Sequence, residues 1–556
     1  MQINSNWTIE LEWPGGLETI IYCGRTARIG LWTQDILIEN PKLTEDRHMP
    51  PRAPSPGKPP LFSTSVRQLQ AMLSGGWSQN RPNQAQAGKR MHRRNFLIAT
   101  LTAAAASRLA ADPQAAKPPQ SENANASDPQ FIESEVAPLQ RVLVHPPGPE
   151  TLRTFPMFSG QHSMLTWELL RPEAALQHAA FVAQLTRHGT EVLHFERLLE
   201  ESIERCRANR SMTAWLQSNA PRLVKHEANV TAQSLLGIDD RFVYQRDDSG
   251  LLNPATSPTT TLFFTRDLAV MTPRGVVICN FNHDRRAFES ALTRFVFQNA
   301  TILKKYPIAF DAIAEQVYVE GGDVLLADKK TLLIGVGNAT QQEAAVRLAK
   351  TLEMDVIAVQ MPSVEQWPGE WSGLQSIFYH LDCLLNFVDH KRVLAVPYLL
   401  EQEHARSNPL LEILIGFSRI ERMSRPERIA MLNEVQNVGW ITRFQAGSGE
   451  RDRALGKMKI LDYLRAQGYE VNYVGGQLPP NGNPLRYITE RVIREARFMA
   501  ANVVALGPAH LVSYSGNTNT NSDLRSAGIK VDTFAAAELM RANGGPHCLT
   551  MPLERR

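Results

Sequence analysis

The chain has 556 residues, 43% hydrophobic and 21% charged, an ordinary globular mixture with length enough for several average domains. Its net charge of +3 makes no case for a nucleic-acid or anionic-membrane partner. Five scattered cysteines (Cys23, Cys206, Cys279, Cys383, Cys548) show no spacing that would hold zinc, and their odd number leaves at least one outside any intrachain disulfide.

The first stretch differs in character from the rest. The Pro-rich "PPRAPSPGKPP" at 50–60 cannot build a core, and "GGWSQNRPNQAQAGKR" at 75–90 is polar and turn-rich. From Met91, Arg93 and Arg94 precede an apolar run, Phe96 to Ala106, and a small-residue exit at Ala110 and Ala111. This order is that of an export signal, and its apolar part is too short to span a bilayer as a helix. "RRNFL" resembles the twin-arginine signal. The expectation is a signal over 91–111, a linker over 112–135 and a periplasmic mature chain. Residues 1–90 are then a non-native or disordered leader, with Met91 the true start. The alternative is a cytoplasmic protein with an Ala-rich helix in a disordered leader.

The pattern becomes regular at about residue 136. "LQRVLVHPP" is a strand stopped by Pro146 and Pro147, "PEAALQHAAFVAQLTRHG" a helix ending at Gly189, and "TEVLHF" a strand. Residues 196–238 read as a small helical insertion. "TLFFTRDLAVMTPRGVVICNF" predicts strand, turn, strand, and "DVLLADKKTLLIGVG" a strand pair turning at Asp328–Lys330. "QQEAAVRLAKTLEM" is a helix, and "IFYHLDCLLNFVDHKRVLAVP" supplies two strands. "HLVSYSGNTNTNSDLRSAGIKVDTF" gives strand, loop, helix, strand. Strand pairs alternating with helices mean one large α/β or α+β domain over 136–556, with no Gly-rich phosphate loop or dinucleotide fingerprint.

Four short clusters carry candidate chemistry: "FFTRD" (Asp267), "EGGD" (Glu320 to Asp323), "YHLD" (His380, Asp382) and "GGPHC" (Cys548). Each alone is weak. A His and an Asp two apart on a strand share a face, which is more often structural, and a lone Cys is more often a small core residue. Together they describe a thiol nucleophile, a proton carrier and several carboxylates. That set suits a planar cation such as a guanidinium, whose N–H groups match carboxylates. Its carbon accepts a thiolate once it is polarised, ammonia leaves and water hydrolyses the adduct.

"FTRD", "EGGD", "HLD" and the terminal "GGPHCLTMPLER" are similar, in order and spacing, to arginine deiminases of the guanidino-modifying (pentein) superfamily. "RVLVHPPGPE", "YHLDCLLNFVD" and "NTNTNSDLRSAGIKV" resemble family segments too, so the likeness runs from about 136 to 556. It implies a five-bladed α/β propeller with the site in its central channel. It implies Cys548 as nucleophile, His380 as general acid/base, Glu320 as its partner, and Asp267 and Asp382 gripping the guanidinium. It implies no metal or cofactor, a small guanidino substrate, and no membrane partner for the mature form. Homo-oligomerisation stays open.

The departures concern the substrate's carboxylate. The family's arginines for that group would correspond to Arg286 (or Arg285), to Ala339 and to Asn543, with Arg541 two residues away. An asparagine expected before "FTRD" is Thr261. Guanidine hydrolysis is therefore better supported than L-arginine itself. An amidinotransferase, a hydrolase of methylated arginine or agmatine, and an inactive scaffold are the competing readings.

Overall fold

The computed structural model describes residues 131–152, 172–242, 244–246, 250, 252–257, 259–282, 284–362, 376–402, 408–420 and 423–556, plus the backbone of a hairpin, Ile9–Trp13 with Gly16–Ile20. The expected signal over 91–111 lies outside these residues, as does the linker up to residue 130. The hairpin belongs to a separate unit, Met1–Thr102; all that follows concerns the unit Ala103–Arg556.

Strand β1 (Leu139–Val144) runs into helix Glu173–Arg187 and returns as β2 (Glu191–His194), parallel to β1. The expected insertion is helical: Phe195–Ala208, Met212–Asn219, a 3₁₀ stretch Pro221–Asn229 and Ala232–Leu236. A short hairpin, β3 (Tyr244–Arg246) and β4 (Leu252–Pro254), follows.

From there one unit recurs. β5 (Ala269–Thr272) pairs antiparallel with β6 (Gly275–Ile278), helix Asp284–Asn299 crosses over, and β7 (Ile308–Asp311) returns parallel to β6. β8 (Val324–Asp328), β9 (Thr331–Val336), helix Gln342–Thr351 and β10 (Asp355–Gln360) repeat it. β11 (Leu385–Asp389) and β12 (Arg392–Ala395) form the next pair. Their crossover contains helices Pro409–Ile420, Arg425–Asn437 and Ile460–Ala466 before β14 (Glu470–Tyr473) returns parallel to β12. It also contains β13 (Ile441–Phe444), which pairs antiparallel with β10 and makes that sheet four-stranded. β15 (Val504–Gly507), β16 (His510–Tyr514), helix Thr518–Ser526 and β17 (Lys530–Phe534) repeat the unit once more.

The final strand, β18 (Met551–Arg555), pairs antiparallel with β1, so the chain's last strand completes the sheet its first strand begins. Among the described residues, five sheets thus share one plan: two antiparallel strands, then a third parallel to the second. The hairpin turns are tight, so neighbouring strands pair locally; a parallel third strand needs the crossover helix. The first strands β5, β11 and β15 are mostly apolar and buried on both faces along nearly their whole length, as covered sheets require.

Three differences from the sequence reading bear on the site. Packing is described from Phe131, so the last five residues of the expected linker, 131–135, belong to the fold: Phe131 and Ile132 are buried, and Ile132 bridges to Arg555. The stretch before β5, expected as strand, is loop and a helical turn, Thr265–Leu268. His380 and Asp382 precede their strand: His380 is extended, and Leu381–Cys383 is a 3₁₀ turn. Apolar residues on either side of these turns give them a strand-like composition, and periodicity does not separate the two over so few residues.

Candidate active site

Each of the five sheets is entered through a short turn closed by a backbone i→i+3 hydrogen bond. The N–H of Asp267 bonds to Phe264 O (3.2 Å), Asp323 to Glu320 O (3.0 Å), Cys383 to His380 O (3.1 Å), Asn502 to Met499 O (3.0 Å) and Thr550 to His547 O (3.1 Å). The turns lead into β5, β8, β11, β15 and β18 respectively. Every residue of the expected catalytic set lies on one of them. Side chains on a turn are released from the alternation of a strand, so successive residues can aim at one point.

The turns touch one another. His380 Nε2 is 2.9 Å from Glu320 Oε2, and its Nδ1 is 3.6 Å from Asp267 Oδ1. Cys548 Sγ is 3.6 Å from Asp382 Oδ2, and the Cys548 N–H donates to Asn502 Oδ1 at 3.0 Å. The Arg266 N–H donates to Cys548 O at 3.1 Å. Glycine permits this closeness. A Cβ on Gly322 would stand 2.3 Å from His380 Nδ1, one on Gly544 2.1 Å from the Phe264 ring, and one on Gly545 2.6 Å from Asn502 Oδ1.

Site electrostatics follow from burial. Asp267, Glu320, His380, Asp382 and Cys548 are all at most 4% exposed. Burial alone would strip His380 of its proton, but Asp267, the Glu320 hydrogen bond and Asp323 outweigh it and raise its pKa from 6.5 to about 10. The imidazole is therefore protonated at neutral pH. Burial, with the charges of Asp382 and Asp267, pushes the Cys548 thiol well above its usual range. Burial also raises Asp267, with Glu320 adding to it against His380 and Arg286. Two carboxylate oxygens here, Asp267 Oδ1 and Glu320 Oε1, have no hydrogen-bond partner among the described residues. Buried acceptors left unpaired are costly, and a cation with several N–H donors is the partner that would relieve them.

Asp382 behaves oppositely. Burial would raise its pKa, but His547, whose Nδ1 donates to Oδ2 at 2.8 Å, holds it below the normal carboxylate range. The other nitrogen of His547 lies 3.4 Å from Glu135, which in turn faces Arg266 at 3.5 Å. Burial works against the Glu135 charge too, and Arg266 and His547 overcome it and lower its pKa strongly. A buried chain of carboxylate, imidazole, carboxylate and guanidinium thus runs behind the thiol, from Asp382 through His547 and Glu135 to Arg266.

Arg286 is in the site. Its Nη1 donates to Asp267 Oδ2 (2.8 Å) and lies 3.9 Å from Glu320 Oε2; its Nε donates to Glu289 (2.9 Å). The guanidinium covers the Phe281 ring at 3.9 Å, and Nη2 has no partner among the described residues. Glu289 is held by Thr261, whose N–H and hydroxyl both donate to it, so the residue standing for the expected asparagine anchors the arginine's partner. Arg541 is half-exposed and pairs with Glu538 at 3.5 Å, and among the described residues no hydrogen bond or ion pair joins it to the site. Ala339 is buried, and Asn543 holds a positive φ of 59° before the two glycines.

The structure places Asp267, Glu320, His380, Asp382, Cys548 and Arg286 in one buried cluster, along with several residues the sequence reading gave no role. His547 and Asp323 lay inside quoted motifs without a role; Asp323 accepts from the Leu381 N–H at 2.9 Å and so fixes the turn that carries His380. Asn502, Glu289 and Glu135 lay in stretches with no local signal.

The family model "Arginine deiminase" matches residues 167–412 and 489–555, together more than half of the chain. The arginine deiminase of Listeria monocytogenes serotype 4a is 26% identical over 454 residues, covering 76% of this chain and 97% of that protein. The arginine deiminase of Metamycoplasma arthritidis is 25% identical over 470 residues, covering 76% and 96%. That of Metamycoplasma hominis is 24% identical over 446 residues, covering 76% and 96%.

Proposed function

The chain belongs to the arginine deiminase family of amidine C–N hydrolases, and from that premise we propose that it hydrolyses a guanidino substrate, L-arginine to L-citrulline and ammonia, through a covalent Cys548 adduct. The observation that carries this reading is the pair of buried carboxylate oxygens, Asp267 Oδ1 and Glu320 Oε1, that accept no hydrogen bond among the described residues and lie in the same buried cluster as the thiol. Five sheets of one plan, entered through turns that meet at these residues, support a five-bladed propeller around the site.

In this mechanism the guanidinium lies against Asp267 and Asp382. Its charge offsets the anions that hold the thiol neutral, so Cys548 releases its proton to water as substrate binds. The thiolate adds to the guanidinium carbon. His380, already an imidazolium, protonates one nitrogen, the C–N bond breaks and ammonia leaves. Neutral His380 then takes a proton from water as its oxygen adds to the amidino carbon; collapse breaks the C–S bond, the hydroxyl proton passes to the departing Cys548 sulfur, and the ureido product is released. Glu320 stabilises the imidazolium through the first half and orients the ring through the second. Asp382 Oδ2, bonded to His547, is kept ionised for the cation.

Arg286 supports an α-carboxylate contact through its Nη2, which has no hydrogen-bond partner among the described residues. Ala339 and Asn543 supply no charge for that group, and this keeps agmatine and methylated arginines as alternative substrates. The deciding experiment incubates the full chain with arginine, agmatine, dimethylarginine or creatine and measures ammonia and ureido product together. Ammonia release in the absence of an amine acceptor is expected, and abolished in Cys548→Ala. Turnover that requires an amine acceptor identifies an amidinotransferase. Full activity of Cys548→Ala ends the nucleophile assignment.

A further inference from the structure

Away from the candidate site, three ligand-type side chains converge where two sheets meet. His188 is the C-terminal cap of helix Glu173–Arg187, the crossover of the β18–β1–β2 sheet. His510 opens β16, and Asp532 lies within the parallel strand β17. The register pairs Val512 with Asp532, so His510 and Asp532 are diagonal neighbours on one face. Both imidazoles point Nε2 at the same oxygen: His188 Nε2 and His510 Nε2 are each 2.8 Å from Asp532 Oδ2. The rings stand edge to face with centroids 4.7 Å apart.

Other contacts hold this arrangement in place. Gln184, one turn before His188, donates its amide to Thr533 O at 3.1 Å, and Phe181 stacks on Phe534 at 5.1 Å. The helix end is thus fixed to β17 without help from the His–Asp pair. The three side chains are 20–25% exposed, open enough for an ion to enter. Lys530, earlier on β17, is the nearby charge that opposes a cation.

We propose that His188, His510 and Asp532 form a Zn(II) site that clips the β18–β1–β2 sheet's helix to the β15–β17 sheet. Two imidazole nitrogens and one carboxylate oxygen are a borderline donor set suited to this ion, with water at the fourth position. Their ligand atoms all lie within 4.8 Å of one another. A tetrahedral ion with bonds of about 2.0–2.1 Å needs its ligand atoms about 3.3 Å apart, so the two N–O separations open by about half an ångström. Each neutral imidazole moves its proton to Nδ1 and offers Nε2 to the metal; an imidazolium would release a proton instead. The ion joins neighbouring sheets, one of which is completed by the strand that follows Cys548, so its effect is on stability and not on the chemical step.

The test uses the full chain carrying Cys548→Ser, which removes the competing active-site thiol. ZnCl2 is titrated by calorimetry into this protein and into the same protein with Asp532→Asn plus His510→Gln. One equivalent is expected in the first and lost in the second. CoCl2 should give visible bands of tetrahedral intensity only in the first, and excess ZnCl2, unlike MgCl2, should raise its melting temperature by several degrees. Equal stoichiometry in both proteins, no bound equivalent in the first, or the same thermal shift with MgCl2 overturns the proposal. His188→Gln, at a helix end, is the second variant; it should lose the equivalent while keeping the parent's circular dichroism, and retention of the equivalent also overturns the site.

Discussion

Among the buried acids, residues of one type are tuned in opposite directions by their neighbours. Asp267 is raised by burial and Glu320, whereas Asp382 is held down against burial by His547. Both are assigned to the same cation, so removing either charge leaves a desolvated guanidinium uncompensated. Asp267→Asn and Asp382→Asn are each expected to lower kcat/KM by about a hundredfold or more, measured as citrulline formation at saturating and limiting arginine. Glu320→Gln removes the charge that bonds His380. The imidazolium loses stabilisation, so its pKa falls from about 10 toward 6.5, and the basic limb of the kcat/KM profile moves to lower pH. An unmoved limb would instead assign Glu320 to the substrate. His547→Ala removes the donor that depresses Asp382; the acidic limb is expected to move to higher pH, since Asp382 then protonates more readily.

Entry turns are the elements that make the site, and their glycines set how closely they approach. An alanine at 322 would put its methyl 2.3 Å from His380 Nδ1, and one at 545 would meet Asn502 at 2.6 Å, the acceptor for the Cys548 N–H. Neither glycine has a positive φ among the described residues, so the obstacle is space and not backbone strain. Gly322→Ala is expected to reduce kcat by about a hundredfold, because an imidazole displaced by an ångström no longer meets the leaving nitrogen. Its cost in stability should stay at about 1–3 kcal/mol, the usual range for overpacking. Steady-state kinetics with thermal unfolding separates the two. Loss of activity no greater than the fraction unfolded would mean that the turn tolerates the methyl and His380 need not be held so tightly.

At the scale of the whole molecule, the chain's two ends are joined. β18 completes the β1–β2 sheet, and fully buried Arg555 donates to Ala137 O at 2.8 Å and Ala505 O at 2.9 Å. It thereby ties the first sheet to the β15 strand, and its charge acts on Glu135. Arg555→Leu removes both bonds and leaves two buried carbonyls unpaired, and is expected to destabilise by about 1–3 kcal/mol in urea unfolding. Stability should also depend on pH. His380 is raised in the folded state, so its contribution is fully present below 6.5 and is lost as pH rises through about 10. Asp323, raised to about 7 by burial, has the same sign, its contribution disappearing between 3.8 and about 7. Glu135 and Asp382, both depressed, lose theirs on acidification. The acid limb should therefore flatten in Glu135→Gln, and the alkaline limb in His380→Asn, by urea titration across pH.

The strand pairs, the crossover helices at 173–187, 342–351 and 518–526 and the helical insertion were legible because each is written locally: apolar runs between turn residues, and helical spacing closed by Gly189 just after the cap His188. The four motifs were legible too: Glu320 and Cys548 sit beside the glycines of their turns, and Asp267, His380 and Asp382 are titratable residues set in short, largely apolar runs. What tertiary structure alone decided was who meets whom. Glu135 reads as the tail of a polar linker, yet 412 residues separate it from His547, its buried partner. Asn502 has an apolar neighbourhood in sequence and holds the nucleophile's backbone. β13 leaves its own repeat to pair with β10, which no local pattern announces. Arg541, two residues from an expected position, pairs with Glu538, while Arg286 lies among the site carboxylates. Composition and periodicity report what a segment can become on its own. Hydrogen bonds and charge pairs between segments far apart in the chain exist only once the sheets have assembled, and those contacts set the pKa values on which the proposed chemistry rests.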